Sequence, residues 1–162
     1  MAIKFRQIEK RDNAAIAELI RNVFREFKID MAGTVYTDPS TDHLYELFQQ
    51  ADSRYWIAEE NGNLLGGCGI FPTTGLPEGY VELVKFYITA EARGKGIGKM
   101  LMERSINDAI EMNYKTIYLE SFPELERAVS MYERSGFKKI DHALGNSGHY
   151  ACTLWMVKNL ND

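Results

Sequence analysis

The chain has 162 residues, 45% of them apolar and 26% charged, which suits one folded domain spanning 1–162 and disfavours disorder. A formal charge of −4 and a pI near 5.5 remove the basic footprint of a nucleic-acid binder. No apolar run approaches the roughly 20 residues that cross a bilayer, and the opening MAIKFRQIEKRD lacks the apolar core of a secretory signal, so a cytoplasmic chain with no membrane partner is expected.

Ile3 to Ile8 alternates apolar and polar residues, the period of a half-buried strand. Asp12 then stands as a helix N-cap before Ile16, Leu19, Ile20, Val23, Phe24 and Phe27, which recur at helical spacing. After the turn-rich TDPSTD, a short second helix is predicted over Leu44 to Phe48. The Asn-Gly step of NGN joins two apolar runs, so Arg54 to Glu59 and Leu64 to Phe71 are predicted to form a hairpin.

The breaker-rich PTTGLPEG precedes Tyr80 to Ile88, the most β-favouring stretch in the chain and a predicted central strand. A helix is expected from about Gly96 to Met112, with Ile97, Leu101, Ile106 and Ile110 as its apolar face. KTIYLES reads as a further strand, and PELERAVSMYERSG as a helix with acids at its start and Gly136 at its stop. FKKIDHAL and HYACTLWMV close the chain as two strands around GNSG. The expected class is α/β in the mixed sense, a largely antiparallel sheet with helices on both faces, because the mid-chain hairpin excludes a purely parallel doubly wound sheet.

Cys68 and Cys152 sit in apolar, strand-like contexts, and His43, His142 and His149 are scattered, so neither a disulfide framework nor a metal site is expected. The informative segment is EARGKGIGKML, Glu91 to Leu101. A turn from a strand into a helix N-terminus aims unpaired backbone N–H groups at one point, where the helix dipole favours an anion. Gly94, Gly96 and Gly98 lack a Cβ that would hold phosphate away, and Arg93, Lys95 and Lys99 add positive charge. The spacing is wrong for a P-loop, since Lys99 stands where the second glycine belongs and Met100 follows it. It also fails the dinucleotide fingerprint, because Gly98 comes one position early.

RGKGIG, Arg93 to Gly98, instead resembles the pyrophosphate loop of the Gcn5-related N-acetyltransferases (GNAT), which reads Arg/Gln-x-x-Gly-x-Gly/Ala between a strand and a helix. LVKFYITAEARGKGIGKMLM is similar to that family's core strand, loop and helix. AVSMYERSGF is similar to its second common segment, which ends in Tyr-Glu-x-x-Gly-Phe.

The resemblance implies acetyl-CoA as acetyl donor and an amine of a small molecule, amino acid or peptide as acceptor, with transfer direct. A homodimer is an allowed assembly. Backbone N–H groups around Lys95, Gly96, Ile97, Gly98 and Lys99 would hold the pyrophosphate, while the main chain of Phe86, Tyr87 and Ile88 would pair with the pantetheine arm. Glu82 is implied as the base that takes the ammonium proton, with Glu120 its rival, and Tyr132 as the acid at the sulfur. Leu125 departs from the asparagine that many members carry there. Glu82, Glu120, Glu124 and Glu126 would favour cationic amines. Residues 32–41, 72–79 and GNSGHY are expected as walls of the acceptor site, with His149 and Tyr150 read as strand residues first and substrate contacts second. A protein that binds acetyl-CoA without turnover is the alternative function.

Overall fold

The computed structural model describes residues 2–161. Asn61 and Gly62 both take left-handed backbone angles, φ +53° and +81°, and turn the chain between β2 (Arg54–Glu60) and β3 (Asn63–Phe71) as the Asn-Gly step predicts. The other elements are β1 (Lys4–Gln7), α1 (Asn13–Glu26), α2 (Leu44–Leu47), β4 (Tyr80–Ile88), α3 (Ile97–Glu111), β5 (Thr116–Ser121), α4 (Glu126–Arg134), β6 (Lys138–Ile140) and β7 (Leu154–Asn159). They form one seven-stranded sheet in the order β1-β2-β3-β4-β5-β7-β6. Every neighbouring pair is antiparallel except β4 with β5, so the expected mixed, largely antiparallel class is the one observed.

Each face of the sheet carries its own apolar core. Ile16, Ile20 and Phe24 of α1 and Leu44 of α2 pack on Tyr55 and Ile57. On the other face Ile97, Leu101 and Met102 of α3 and Val129 of α4 cover Val81, Leu83, Ile117 and Met156. Asp12 stands at the N-cap of α1 but makes no side-chain cap there. Its carboxylate instead accepts from the Glu9 N–H at 2.7 Å and from the Arg6 guanidinium at 2.8 and 2.9 Å.

Two features of β4 create the site. Gly67 pairs with Tyr87 and Gly69 with Val84, so β4 bulges between them, and Lys85 in the bulge takes φ +53°. The bulge changes which residues face which core: Val81 and Leu83 face α3, but beyond it Phe86 and Ile88 do, while Val84 and Tyr87 lie on the α1 side. Second, β4 pairs with β5 only over Tyr80–Thr116, Val81–Ile117 and Glu82–Tyr118. Beyond Glu82 the two strands part and leave a cleft.

Three expectations are corrected. Ile110 is 50% exposed rather than part of the apolar face of α3, because the helix buries Leu101, Met102, Ser105 and Ala109 instead. The two closing strands are shorter than predicted: β6 stops at Ile140 and β7 starts at Leu154, so His149 and Tyr150 are not strand residues. The segment between them is a strap whose polar atoms find partners elsewhere. Leu144 N donates to the Tyr118 hydroxyl at 3.0 Å, Asn146 N to the Thr74 carbonyl at 2.7 Å, and Ala151 N to the Gly33 carbonyl at 3.0 Å.

Candidate active site

The glycine turn sits where β4 ends. Gly94 and Gly96 adopt φ +81° and +82°, a conformation that other residues enter only at a cost, and Gly96 is the N-cap of α3. A Cβ on Gly96 would meet nothing within 4 Å, so this side of the turn is open to a guest. Among the described residues, no N–H from Gly94 to Lys99 donates to a backbone carbonyl outside the helix ladder. The orphan donors of the helix start are therefore presented together with the dipole, a fit to a pyrophosphate.

The three glycines do not share one role. A Cβ on Gly98 would lie 3.2 Å from Met131 Cε and 3.2 Å from Phe86 Cζ, so Gly98 admits close packing of α3 on β4 and α4 rather than clearing an anion's path. Arg93 also differs from expectation. Its guanidinium turns to α1, donating from Nη2 to Glu26 at 2.9 Å and to the Ile88 carbonyl at 3.0 Å, and it lies over the Phe27 ring. The charge left beside the turn comes from Lys95 and Lys99, together with Arg127, whose Nη2 lies 3.5 Å from the Cβ position of Gly94. No spacing in the sequence connects Arg127 to the turn, because it stands one helix away.

Where β4 and β5 part there is a cavity of about 40 Å³, lined from β4 by Glu82 to Tyr87, from β5 and beyond by Glu120, Ser121, Phe122 and Leu125, and by Tyr132, His149 and Cys152. Glu82 is 4% exposed and accepts a hydrogen bond from Thr73 Oγ1 at 2.6 Å through Oε1. Burial, and then the nearby Glu120 carboxylate, push its pKa from 4.5 up to about 8. Tyr132 packs between Phe86 and Phe137, with centroids at 5.9 and 5.8 Å, and burial raises the pKa of its hydroxyl so that the proton is retained.

Neither Glu82 Oε2 nor the Tyr132 hydroxyl has a hydrogen-bond partner among the described residues. Arg104 Nε is the one side-chain nitrogen or oxygen there that is both sealed and unpartnered, so these two atoms are open to the cavity. Glu120 is engaged differently. Its Oε2 accepts from the Tyr118 hydroxyl and its Oε1 from Ser147 Oγ, each at 2.6 Å, which ties the strap to β5. Glu124 and Glu126 do not line the cavity.

Of the expected walls, the strap and the 32–41 segment meet at the cavity: His149 Nε2 lies 2.7 Å from Asp38 Oδ2. Tyr150 lies against Gly33 and stays 80% exposed. Lys85, overlooked in the sequence, also lines the cavity. Alternation from Val81 and Leu83 would turn it toward α3, and only the bulge brings it beside Glu82.

Residues 17–137 match the profile of the acetyltransferase (GNAT) family. The chain is 39% identical over 156 residues to YjgM, an uncharacterized N-acetyltransferase of Escherichia coli (strain K12), covering 96% of this chain and 93% of that one. Among solved structures it is similar to a GNAT-family acetyltransferase of Staphylococcus aureus Mu50, with a TM-score of 0.85 at 23% identity over 98% of this chain and 99% of the other. It is also similar to yncA, a putative acetyltransferase from Salmonella typhimurium with its cofactor acetyl-CoA, with a TM-score of 0.77 at 20% identity over 99% and 95% of the two chains.

Proposed function

The chain belongs to the GNAT acetyltransferase family, and we propose that residues 1–162 act as one domain that transfers acetyl from acetyl-CoA directly to the primary amine of a small molecule, amino acid or peptide. One observation carries the reading: a single cavity receives both the free oxygen of Glu82 and the hydroxyl of Tyr132, at the point where β4 loses its β5 partner. When bound, acetyl-CoA supplies a thioester carbonyl whose leaving group is a thiolate.

Backbone N–H groups of Gly94 to Lys99 hold the pyrophosphate, and Lys95 and Lys99 add charge. The main chain of Phe86, Tyr87 and Ile88, freed from β5, offers a strand edge to the pantetheine arm. Glu82 takes the ammonium proton of the acceptor through Oε2, directly or across one water, since an alkyl ammonium is not a nucleophile. Its raised pKa makes it strong enough to compete for that proton near neutral pH. Tyr132 presents its hydroxyl proton to the sulfur as negative charge develops there. The engagement of both Glu120 oxygens favours Glu82 over Glu120 as the base.

Incubating the purified chain with acetyl-CoA and a panel of amines, with free thiol as readout, tests this reading. Acetyl-CoA binding without thiol release above the hydrolytic blank across the panel would leave the non-catalytic binder in its place.

A further inference from the structure

The acceptor end of the cavity holds an ammonium with no dedicated partner. Lys85 is 7% exposed, and among the described residues no carboxylate oxygen lies within 4.0 Å of its Nζ and no acceptor within hydrogen-bond distance. Its ammonium is not sealed off, because the one sealed and unpartnered side-chain nitrogen is Arg104 Nε. It therefore opens into the cavity that Lys85 lines.

The backbone is built to hold it there. Lys85 takes a left-handed φ of +53°, and the Tyr55 hydroxyl donates to its carbonyl at 2.6 Å. A non-glycine residue adopts such an angle only at a cost, and an unpaired buried ammonium costs more. Of the acids near Lys85 or on the cavity wall, two are otherwise occupied. Asp38 accepts from Ser40 N at 2.9 Å and Ser40 Oγ at 2.8 Å through Oδ1, and lies against His149 through Oδ2. Glu120 has its two hydroxyl donors. Glu82 alone keeps an open oxygen.

Resting on the acetyltransferase reading above, we infer that the acceptor is an amine that also bears a carboxylate, an amino acid, with Lys85 binding the carboxylate while Glu82 faces the amine. A single ammonium with Asp38 and Glu82 acting on it, in a cavity that Glu120 also lines, suits one negative charge better than the two of a phosphate dianion. On balance burial holds the lysine's pKa below its ordinary value, with Asp38 and Glu82 offsetting only part of that effect, and a bound carboxylate would favour the charged form.

The test uses the full chain saturated with CoA, titrated calorimetrically with the twenty common L-amino acids and their α-amides, alongside thiol release with acetyl-CoA. For the best acceptor, the acid should bind on the order of 10- to 100-fold tighter than its amide, the range of a charge-assisted contact. Lys85→Met should bring that ratio toward one, and Lys85→Arg should restore part of it. Amides bound as well as acids, no acid bound at all, or Lys85→Met weakening acid and amide equally would each overturn the assignment. Binding decides this independently of turnover: acids that bind through Lys85 without thiol release would sink the acetyltransfer reading and leave the carboxylate site standing. A circular-dichroism melt of each variant separates loss of binding from loss of fold.

Discussion

The Tyr55 hydroxyl on β2 reaches across β3 to donate to the Lys85 carbonyl on β4, at 2.6 Å. The ring lies across Gly67 and Gly69, where any side chain would collide with it, so β3 is thinned to glycine to let the contact form. The bulge that turns Lys85 toward Glu82 is thus held from two strands away.

Tyr55→Phe keeps the ring and removes only this donor. It should destabilise the chain by about 1–3 kcal/mol, the usual result of stranding a buried acceptor. The acid-over-amide preference should shrink in the same variant, because the bulge no longer fixes Lys85. Urea denaturation and the acceptor titration check the two effects separately.

Glu82→Gln addresses proton transfer and stability at once. In the wild type kcat/KM should rise with pH through about 8, as Glu82 loses its proton, and in Glu82→Gln that rise should disappear with acetyl-CoA affinity little changed. The stability effect has a fixed sign. The folded pKa of about 8 lies above the ordinary 4.5, so the protonated carboxyl's contribution is fully present below 4.5 and is lost as pH rises toward 8. Glu82→Gln should therefore gain stability relative to wild type between pH 4.5 and 8, by an amount on the order of a few kcal/mol. A stability difference independent of pH would show that Glu82 ionises freely.

Tyr132→Phe leaves the packing on Phe86 and Phe137 intact and removes a hydroxyl that has no partner among the described residues. Thermal stability and acetyl-CoA affinity should hardly move, while kcat falls on the order of 10²-fold if the hydroxyl serves the departing sulfur. Wild-type kcat, with product release shown not to limit it, would return Tyr132 to a packing role.

Gly96→Ala and Gly98→Val separate the two kinds of glycine in the turn. At Gly96 the new methyl enters open space, but the left-handed angle should cost about 1–2 kcal/mol or shift the turn, and acetyl-CoA affinity should drop accordingly. At Gly98 the branches meet Met131 and Phe86, and the loss should appear first as about 1–3 kcal/mol of stability. Calorimetry with acetyl-CoA and chemical denaturation on both variants distinguish them.

Much of this was legible in the sequence where the signal is local. β4 has the bounds its composition predicts, the Asn-Gly hairpin forms, and the turn after β4 carries the helix start that its glycines announce. What escaped depends on distant partners. Lys85 looks like a residue facing α3 until Tyr55, thirty positions earlier in the chain, bends the strand around it. The side chain of Arg93 is drawn away from the turn by Glu26, which no spacing rule connects to it. The two ends of the strap read as strand because DHAL and HYAC continue the apolar runs beside GNSG, yet Asp38, Glu120 and Tyr118 claim the strap's polar atoms first.

The short parallel seam between β4 and β5 has a mechanical side. β1 to β4 form a continuous meander and β5, β7 and β6 form a second stitched block, but only the three residue pairs from Tyr80–Thr116 to Glu82–Tyr118 join the two in the ladder. A sheet fastened at one end of a seam behaves as two stiff plates on a hinge, and its soft mode is the widening of the gap at the other end. A guest in that gap would touch both plates at once, and so would resist the very motion that the short seam leaves free.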